Sequence, residues 1–251
     1  MRLFRGLDLL PAFRRAVTTV GSYDGVHAGH RVLLKRAAAE ARTSGGESVV
    51  VTFDPHPRLA LEREPGLKLL TTLREKCLLL EEAGIDNLVV IPFDRAFSLT
   101  PPHEFIRLLR EKVGTETLVV GYDHRFGRDK AGGFELLKRM HDQAPMRLIE
   151  VAEQELGREH LSSTAIRRLV AGGEMAHAAR LLGHPYLLMA ETLADGSLRP
   201  GEPHKLLPPA GSYPVRAEGR STTLHIDGGG LRLDDATPPA AGTPRIITFE
   251  P

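Results

Sequence analysis

The stretch Ala16-Val17-Thr18-Thr19-Val20-Gly21-Ser22-Tyr23-Asp24-Gly25-Val26-His27-Ala28-Gly29-His30 sets an apolar, β-branched run directly before a glycine-rich turn with two histidines. An amphipathic stretch at residues 31–42 follows it. That order predicts strand, turn and helix, with His27 and His30 at the turn and the first helical residues. Such a junction presents backbone N–H groups and the positive end of a helix dipole to whatever lies above it. Gly21 and Gly29 let the backbone approach a phosphate closely, and imidazoles add donors for its oxygens. The ligand predicted is a nucleotide, its phosphates lying over the Gly21–Gly29 turn. A plain glycine-rich turn with two exposed histidines is the other reading. A metal site is disfavoured, since His27 and His30 supply two ligands, no Cys cluster joins them and no H-E-x-x-H spacing occurs. No metal ligand is assigned.

Outward from this turn, residues 16–151 alternate short β-branched runs with helical patterns. Strands are predicted at residues 16–20, 48–53, 87–92, 117–121 and 146–151, and helices at 31–42, 73–83, 102–112 and 133–143. Val49-Val50-Val51 and Leu118-Val119-Val120 are apolar throughout, as strands covered on both faces are. The rhythm predicts an α/β, Rossmann-like architecture with a parallel, doubly wound sheet and right-handed crossovers. Ligands of such sheets bind beyond the carboxyl ends of the strands, where the first turn lies. Two further helices are predicted at 163–171 and 174–182. After His184-Pro185 helical periodicity stops, and short strand-like pieces appear at 187–192, 211–217, 222–226, 231–233 and 245–249. These predict a small antiparallel β module with a flexible loop at 236–243. The expected domains are residues 1–185 and 186–251.

Lys+Arg 33 against Asp+Glu 32 gives a formal net charge of +1, which argues against a dedicated nucleic-acid binder. The single cysteine, Cys77, forms no disulfide within the chain and suits a reducing compartment. Residues 1–10 are interrupted by Arg2, Arg5 and Asp8 and carry no secretory apolar core. No apolar run reaches membrane-spanning length. A cytoplasmic protein with neither nucleic-acid nor membrane partners is the expectation; the oligomeric state is open.

Three more clusters fall at predicted ligand-side positions. Thr52-Phe53-Asp54-Pro55-His56-Pro57 follows the second strand, and its prolines hold Asp54 and His56 away from helical geometry. Gly121-Tyr122-Asp123-His124-Arg125-Phe126-Gly127-Arg128-Asp129-Lys130 follows the fourth strand with cations suited to a phosphate-rich ligand. Ser162-Ser163-Thr164-Ala165-Ile166-Arg167 opens a helix. Its hydroxyls serve as helix caps, and with free N–H groups and Arg167 one turn on they also make an anion site.

In this order the four clusters resemble the adenylyltransferase module of bacterial bifunctional FAD synthetases (riboflavin kinase/FMN adenylyltransferase). That family's pattern is G-x-F-D-G-V-H-x-G-H, T-F-D-P-H-P, V-G-x-D/N-x-x-F-G and S-S-T-x-I-R, and the likeness covers residues 14–186. The resemblance implies transfer of AMP from ATP to FMN, giving FAD and pyrophosphate, with Mg2+ among the phosphates. It implies that His27, His30 and Arg167 act at the reacting phosphates, that Ser22, Tyr23 and Asp24 lie beside them, and that Ser162, Ser163 and Thr164 hold the triphosphate. Asp54, His56, Pro57, Asp123 and Arg125 would meet the flavin substrate. Ser22-Tyr23 stands where the family has Asn/Val-Phe, and His124 where it has an aromatic, so flavin identity is less fixed than adenylyl transfer.

The second module of that family is a riboflavin kinase barrel with G-R-x-L-G-x-P-T-A-N. Residues 199–204, Arg-Pro-Gly-Glu-Pro-His, lack the Thr and Asn of that motif. The resemblance therefore implies a shortened barrel without kinase activity. Two other readings stay open: a non-catalytic flavin- or nucleotide-binding regulator, and a related nucleotidyltransferase acting on another phosphorylated substrate.

Overall fold

The computed structural model describes residues 1–62, 64–122, 127, 132–139, 146–152, 161–228, 230–234 and 239–250. The chain forms two compact units. One comprises Met1–Tyr23, Gly29–Leu67 and Cys77–Glu159, and the other Asp24–Ala28, Lys68–Lys76 and His160–Pro251.

The first unit carries β1 (Arg2–Arg5), β2 (Ala16–Val20), α1 (Ala28–Ser44, whose first residue belongs to the second unit), β3 (Ser48–Asp54), α2 (Pro57–Ala60) and α3 (Leu73–Glu82, whose residues 73–76 belong to the second unit). It continues through β4 (Asn87–Pro92), α4 (Arg95–Ser98), α5 (Pro102–Glu111), β5 (Thr115–Gly121), α6 (Phe134–Arg139) and β6 (Arg147–Val151). Its six strands lie in the order β1-β4-β3-β2-β5-β6, and every pairing is parallel. All five residues of β2 are buried, as β-branched residues covered on both faces should be.

Each face of the sheet has its own core. Val20, Val49, Val51, Val89, Leu118 and Val120 pack with Phe105, Ile106 and Leu109 of α5. Val17, Val119, Ile149 and Val151 pack with Ala37 and Ala41 of α1. The period-2 alternation of the strands sends Val17 and Val20 to opposite sides. Burying each large side chain of α5 contributes about 1.5–3 kcal/mol.

The strand order reverses between β2 and β5: from β2 the chain winds outward through β3 and β4, then crosses to β5 and β6. Ligands of open parallel sheets bind outside the carboxyl ends of the strands at such a switch point. Val20 and Gly121 end the two strands there, and the Gly21 turn follows directly.

The second unit contains α7 (Ser163–Ala171), α8 (Met175–Leu182), β7 (Leu187–Thr192), β8 (Leu198–Pro200), β9 (Gly211–Ala217), β10 (Arg220–Asp227), β11 (Gly230–Leu233) and β12 (Pro244–Phe249). The strands close into an antiparallel barrel in the order β10-β11-β8-β7-β12-β9. Leu188, Ala190, Val215, Leu224, Ile247 and Phe249 fill one cluster with Ile166 and Val170 of α7 and Met175, Ala178 and Leu182 of α8. Closure leaves no free edge, so a small sheet of short strands is self-sufficient in backbone pairing. Gly183 ends α8 in the left-handed conformation at φ 74.

The doubly wound sheet and the antiparallel barrel are the predicted fold. Two strands went unpredicted. β1 is an exposed edge with Arg at both ends, and β8 is three residues long and ends in Pro200. Helix α1 starts at Ala28 rather than residue 31, which puts His30 inside its first turn. The predicted helix at 133–143 is α6 over its described part, and residues 140–143 lie outside the described residues.

Candidate active site

The turn after β2 is tightly wound. Tyr23 and Val26 hold φ of 47 and 42, and Gly25 holds φ 82. Positive φ at a β-branched residue such as Val26 is a real outlier, and such strain costs on the order of 1–3 kcal/mol. Glycine is required at position 25, because a Cβ there would meet Leu70 Cδ1 at 2.8 Å. Residues 21–30 pass from the first unit into the second and back, with Asp24–Ala28 belonging to the second.

In the first unit, Tyr23 is 1% exposed and its hydroxyl shares a hydrogen bond with Thr19 Oγ1 at 2.7 Å. Burial raises its pKa above the ordinary tyrosine value, and the Thr19 contact opposes this weakly. Its ring meets the His30 imidazole edge-on, centroids 5.1 Å apart. Gly21 lies under that ring: a Cβ there would approach Tyr23 Cε2 to 3.1 Å. The Ser22 carbonyl accepts from Thr52 Oγ1 at 3.4 Å, joining the turn to the first residue of the second cluster. Arg31, next to His30, was not among the predicted site residues; its buried Nη1 finds no acceptor among the described residues.

The second cluster follows β3. The Asp54–Pro55 peptide is cis. Asp54 is partly exposed and lies 3.7 Å from Arg5 Nη1. His56 is buried, and its Nδ1 accepts from Arg58 N, so it caps α2, which Pro57 opens. Asp123 and Arg125, together with His124, lie outside the described residues.

In the second unit, the structure gathers Asp24, Ser163 and Arg167. Ser162 caps α7, its hydroxyl accepting from Ala165 N at 3.2 Å. Ser163 Oγ donates to the Asp24 carbonyl at 2.9 Å. Thr164 sits one residue further in the same first turn, where amide N–H groups have no intrahelical acceptor. Arg167 Nη2 donates to Asp24 Oδ2 at 2.8 Å. Both side chains of this pair are nearly excluded from water, at 12% and 3% exposure. Arg167 Nε is also buried and has no acceptor among the described residues. A buried guanidinium donor left over from an ion pair is one an anion would satisfy. His27 is buried in this unit, and His184 Nε2 contacts the Gly25 carbonyl at 2.9 Å.

Asp24 itself is committed. Its carboxylate accepts from Leu70 N, Thr71 N, Thr71 Oγ1 and Arg167, which uses the capacity of both oxygens. Thr71 is therefore a site residue that the motifs did not announce. Among the described residues no three His, Cys, Asp or Glu side chains gather to hold a metal ion. No described helix is long and apolar enough to cross a membrane.

A family model described as FAD synthetase matches residues 10–165. The bifunctional riboflavin kinase/FMN adenylyltransferase of Escherichia coli (strain K12) is 35% identical over 201 residues, 79% of this chain and 64% of that protein. The match thus spans less than two thirds of that relative's length. The putative bifunctional riboflavin kinase/FMN adenylyltransferase of Geobacillus thermodenitrificans (strain NG80-2) is 36% identical over 170 residues, 68% of this chain and 90% of that protein. A crystal structure titled macrolide-efflux protein from Streptococcus pneumoniae superposes with a TM-score of 0.81 over 99% of this chain and 98% of that one. At 23% identity that likeness concerns the fold alone.

Proposed function

Since the chain belongs to the FAD synthetase family, we propose that it is an FMN adenylyltransferase working in the cytoplasm without riboflavin kinase activity. The single observation that carries the reading is Arg167. Asp24 fixes one of its nitrogens, and a buried Nε remains without an acceptor among the described residues. The triphosphate of ATP supplies that acceptor. Ser162, Ser163 and Thr164 at the start of α7 hold the same tail through hydroxyl and amide donors.

In this reading His27 and His30 contact the phosphates from the Gly21–Gly29 turn. An oxygen of the FMN phosphate attacks the α-phosphorus of ATP, the bond to the bridging oxygen breaks, and pyrophosphate leaves. The catalyst supplies positioning and charge stabilisation, which suffice for in-line phosphoryl chemistry and need no protein nucleophile. Magnesium would accompany the nucleotide substrate and would neutralise charge on its phosphates. Asp24 acts through Arg167, since its own oxygens are occupied. The flavin side is assigned to Asp54, His56, Pro57, Asp123 and Arg125. Residues 1–185 make up the transferase and residues 186–251 the kinase-like remnant.

The absence of P-T-A-N supports the missing kinase activity. Next to residues 199–204, the Lys205 ammonium is buried among internal acceptors. Incubation of the full chain with Mg–ATP and FMN is expected to give FAD and pyrophosphate in equal amounts. Riboflavin in place of FMN should give nothing. Tight flavin binding without product would replace the enzyme by a binding regulator.

A further inference from the structure

Asp24 fixes Arg167, a short segment fixes Asp24, and the barrel fixes that segment. Leu70 N and Thr71 N donate to the Asp24 carboxylate at 3.2 and 3.0 Å, and Thr71 Oγ1 at 3.2 Å. The Leu70 carbonyl accepts from Lys205 Nζ at 2.6 Å. Backbone pairing ties the same stretches together, with Leu69 N donating to His204 O at 2.7 Å and Leu206 N to Leu69 O at 2.8 Å. All these residues belong to the second unit.

Lys205 is one half of an ion pair with no exposure on either side chain. Its Nζ donates to Glu75 Oε2 at 2.9 Å and to the Leu187 carbonyl as well, so all three protons are used. The ring of Tyr186 lies 4.2 Å from the ammonium. Glu75 and Thr72 form a reciprocal cap at the start of α3: Thr72 N donates to Glu75 Oε2, and Glu75 N to Thr72 Oγ1. Glu75 Oε1 accepts from Met189 N in β7. A buried ion pair this well satisfied adds little net stability over an apolar pair of equal volume, yet it fixes geometry tightly. The geometry it fixes here is that of residues 70–72.

We propose that Lys205, with Glu75, is a positioning residue for adenylyl transfer, holding the Leu70–Thr71 segment against Asp24 and so setting the Arg167 guanidinium. The proposal rests on the reading of Arg167 as a ligand of the ATP phosphates. It gives the β module a part in FAD synthesis that requires no kinase chemistry.

Lys205→Met alone would strand the Glu75 carboxylate in a dry interior and unfold the unit. The informative variant is Glu75→Gln with Lys205→Met, which removes both charges; a denaturant melt checks that it folds, because the amide oxygen can accept from Thr72 N or Met189 N but not from both. Four full-length proteins are compared: wild type, this pair, Arg167→Lys, and all three changes together. Mg–ATP dissociation constants and kcat/KM for FAD formation are measured for each. The pair variant should keep its circular dichroism and FMN affinity while binding Mg–ATP about tenfold more weakly. Added to Arg167→Lys, the pair should weaken binding by no more than about twofold further, since both changes act through one guanidinium. Unchanged Mg–ATP affinity in the pair variant, or a full tenfold loss on top of Arg167→Lys, overturns the proposal. If the wild type binds Mg–ATP but forms no FAD, the functional reading fails while the binding cycle still decides the role of Lys205. A wild type that does not bind Mg–ATP overturns both.

Discussion

The Tyr23 ring stands edge-on to the His30 imidazole with centroids 5.1 Å apart, and its hydroxyl is tied to Thr19 in β2. A core strand thereby reaches, through one buried aromatic, the histidine that opens α1. Tyr23→Phe keeps the ring and leaves the Thr19 hydroxyl without this partner. It should cost about 1–2 kcal/mol of stability and preserve turnover. Tyr23→Ala removes the ring as well, should cost about 3–5 kcal/mol, and should lower kcat more than it raises the KM for ATP. Denaturant melts and steady-state kinetics on the two variants check this; equal kcat in both would detach Tyr23 from His30.

His30→Ala tests the histidine itself. Removing one donor to charge developing in the transition state should lower kcat by about 10²–10³-fold. The melting temperature should stay close to that of the wild type, because His30 is only partly buried. Turnover within a few-fold of wild type would remove His30 from the phosphate site.

Asp24→Asn tests the fixing of Arg167. The amide would set its N–H groups against the Leu70 and Thr71 donors and leave a buried guanidinium without its counter-charge. A loss of about 3–5 kcal/mol follows, or a fall in Tm of roughly 10 °C. Mg–ATP affinity should fall with it. Calorimetric melts and ATP titrations measure both, and an unperturbed Tm would contradict the buried pair.

Tyr23 and Tyr186 are buried, and burial raises the pKa of both above the ordinary value of 10.0. A raised folded pKa means stability is complete below the unfolded value and is lost as pH climbs above it, because the unfolded chain releases a proton that the folded chain keeps. Alkaline titration of tyrosinate absorbance, followed together with circular dichroism, checks this. Tyr23 and Tyr186 should ionise only with unfolding. Tyr23→Phe should make the alkaline loss of stability less steep.

The parallel sheet was legible because Val49–Val51 and Leu118–Val120 are apolar on both faces and the turns between elements carry glycine and proline. Arg167 and Ser163 were legible because a hydroxyl-rich helix start is a local pattern. Thr71 was not: its role is to present N–H and O–H to a carboxylate 47 residues away in sequence, a contact that local spacing does not encode. Lys205 was hidden for the same reason, since a lysine amid prolines and leucines reads as a solvated loop until the fold closes over it. Thr72 and Glu75 cap the start of α3 reciprocally. The charge partner of Glu75 lies 130 residues on and is visible only in three dimensions.

The most direct measurement supplies the chain with an equal mixture of FMN and riboflavin and Mg–ATP labelled separately at its α and γ phosphorus. The α label should enter FAD, the γ label should leave entirely as pyrophosphate, and no flavin should carry γ label. Gamma label in FMN would show that the barrel is a working kinase. An α label that never reaches a flavin would contradict adenylyl transfer itself.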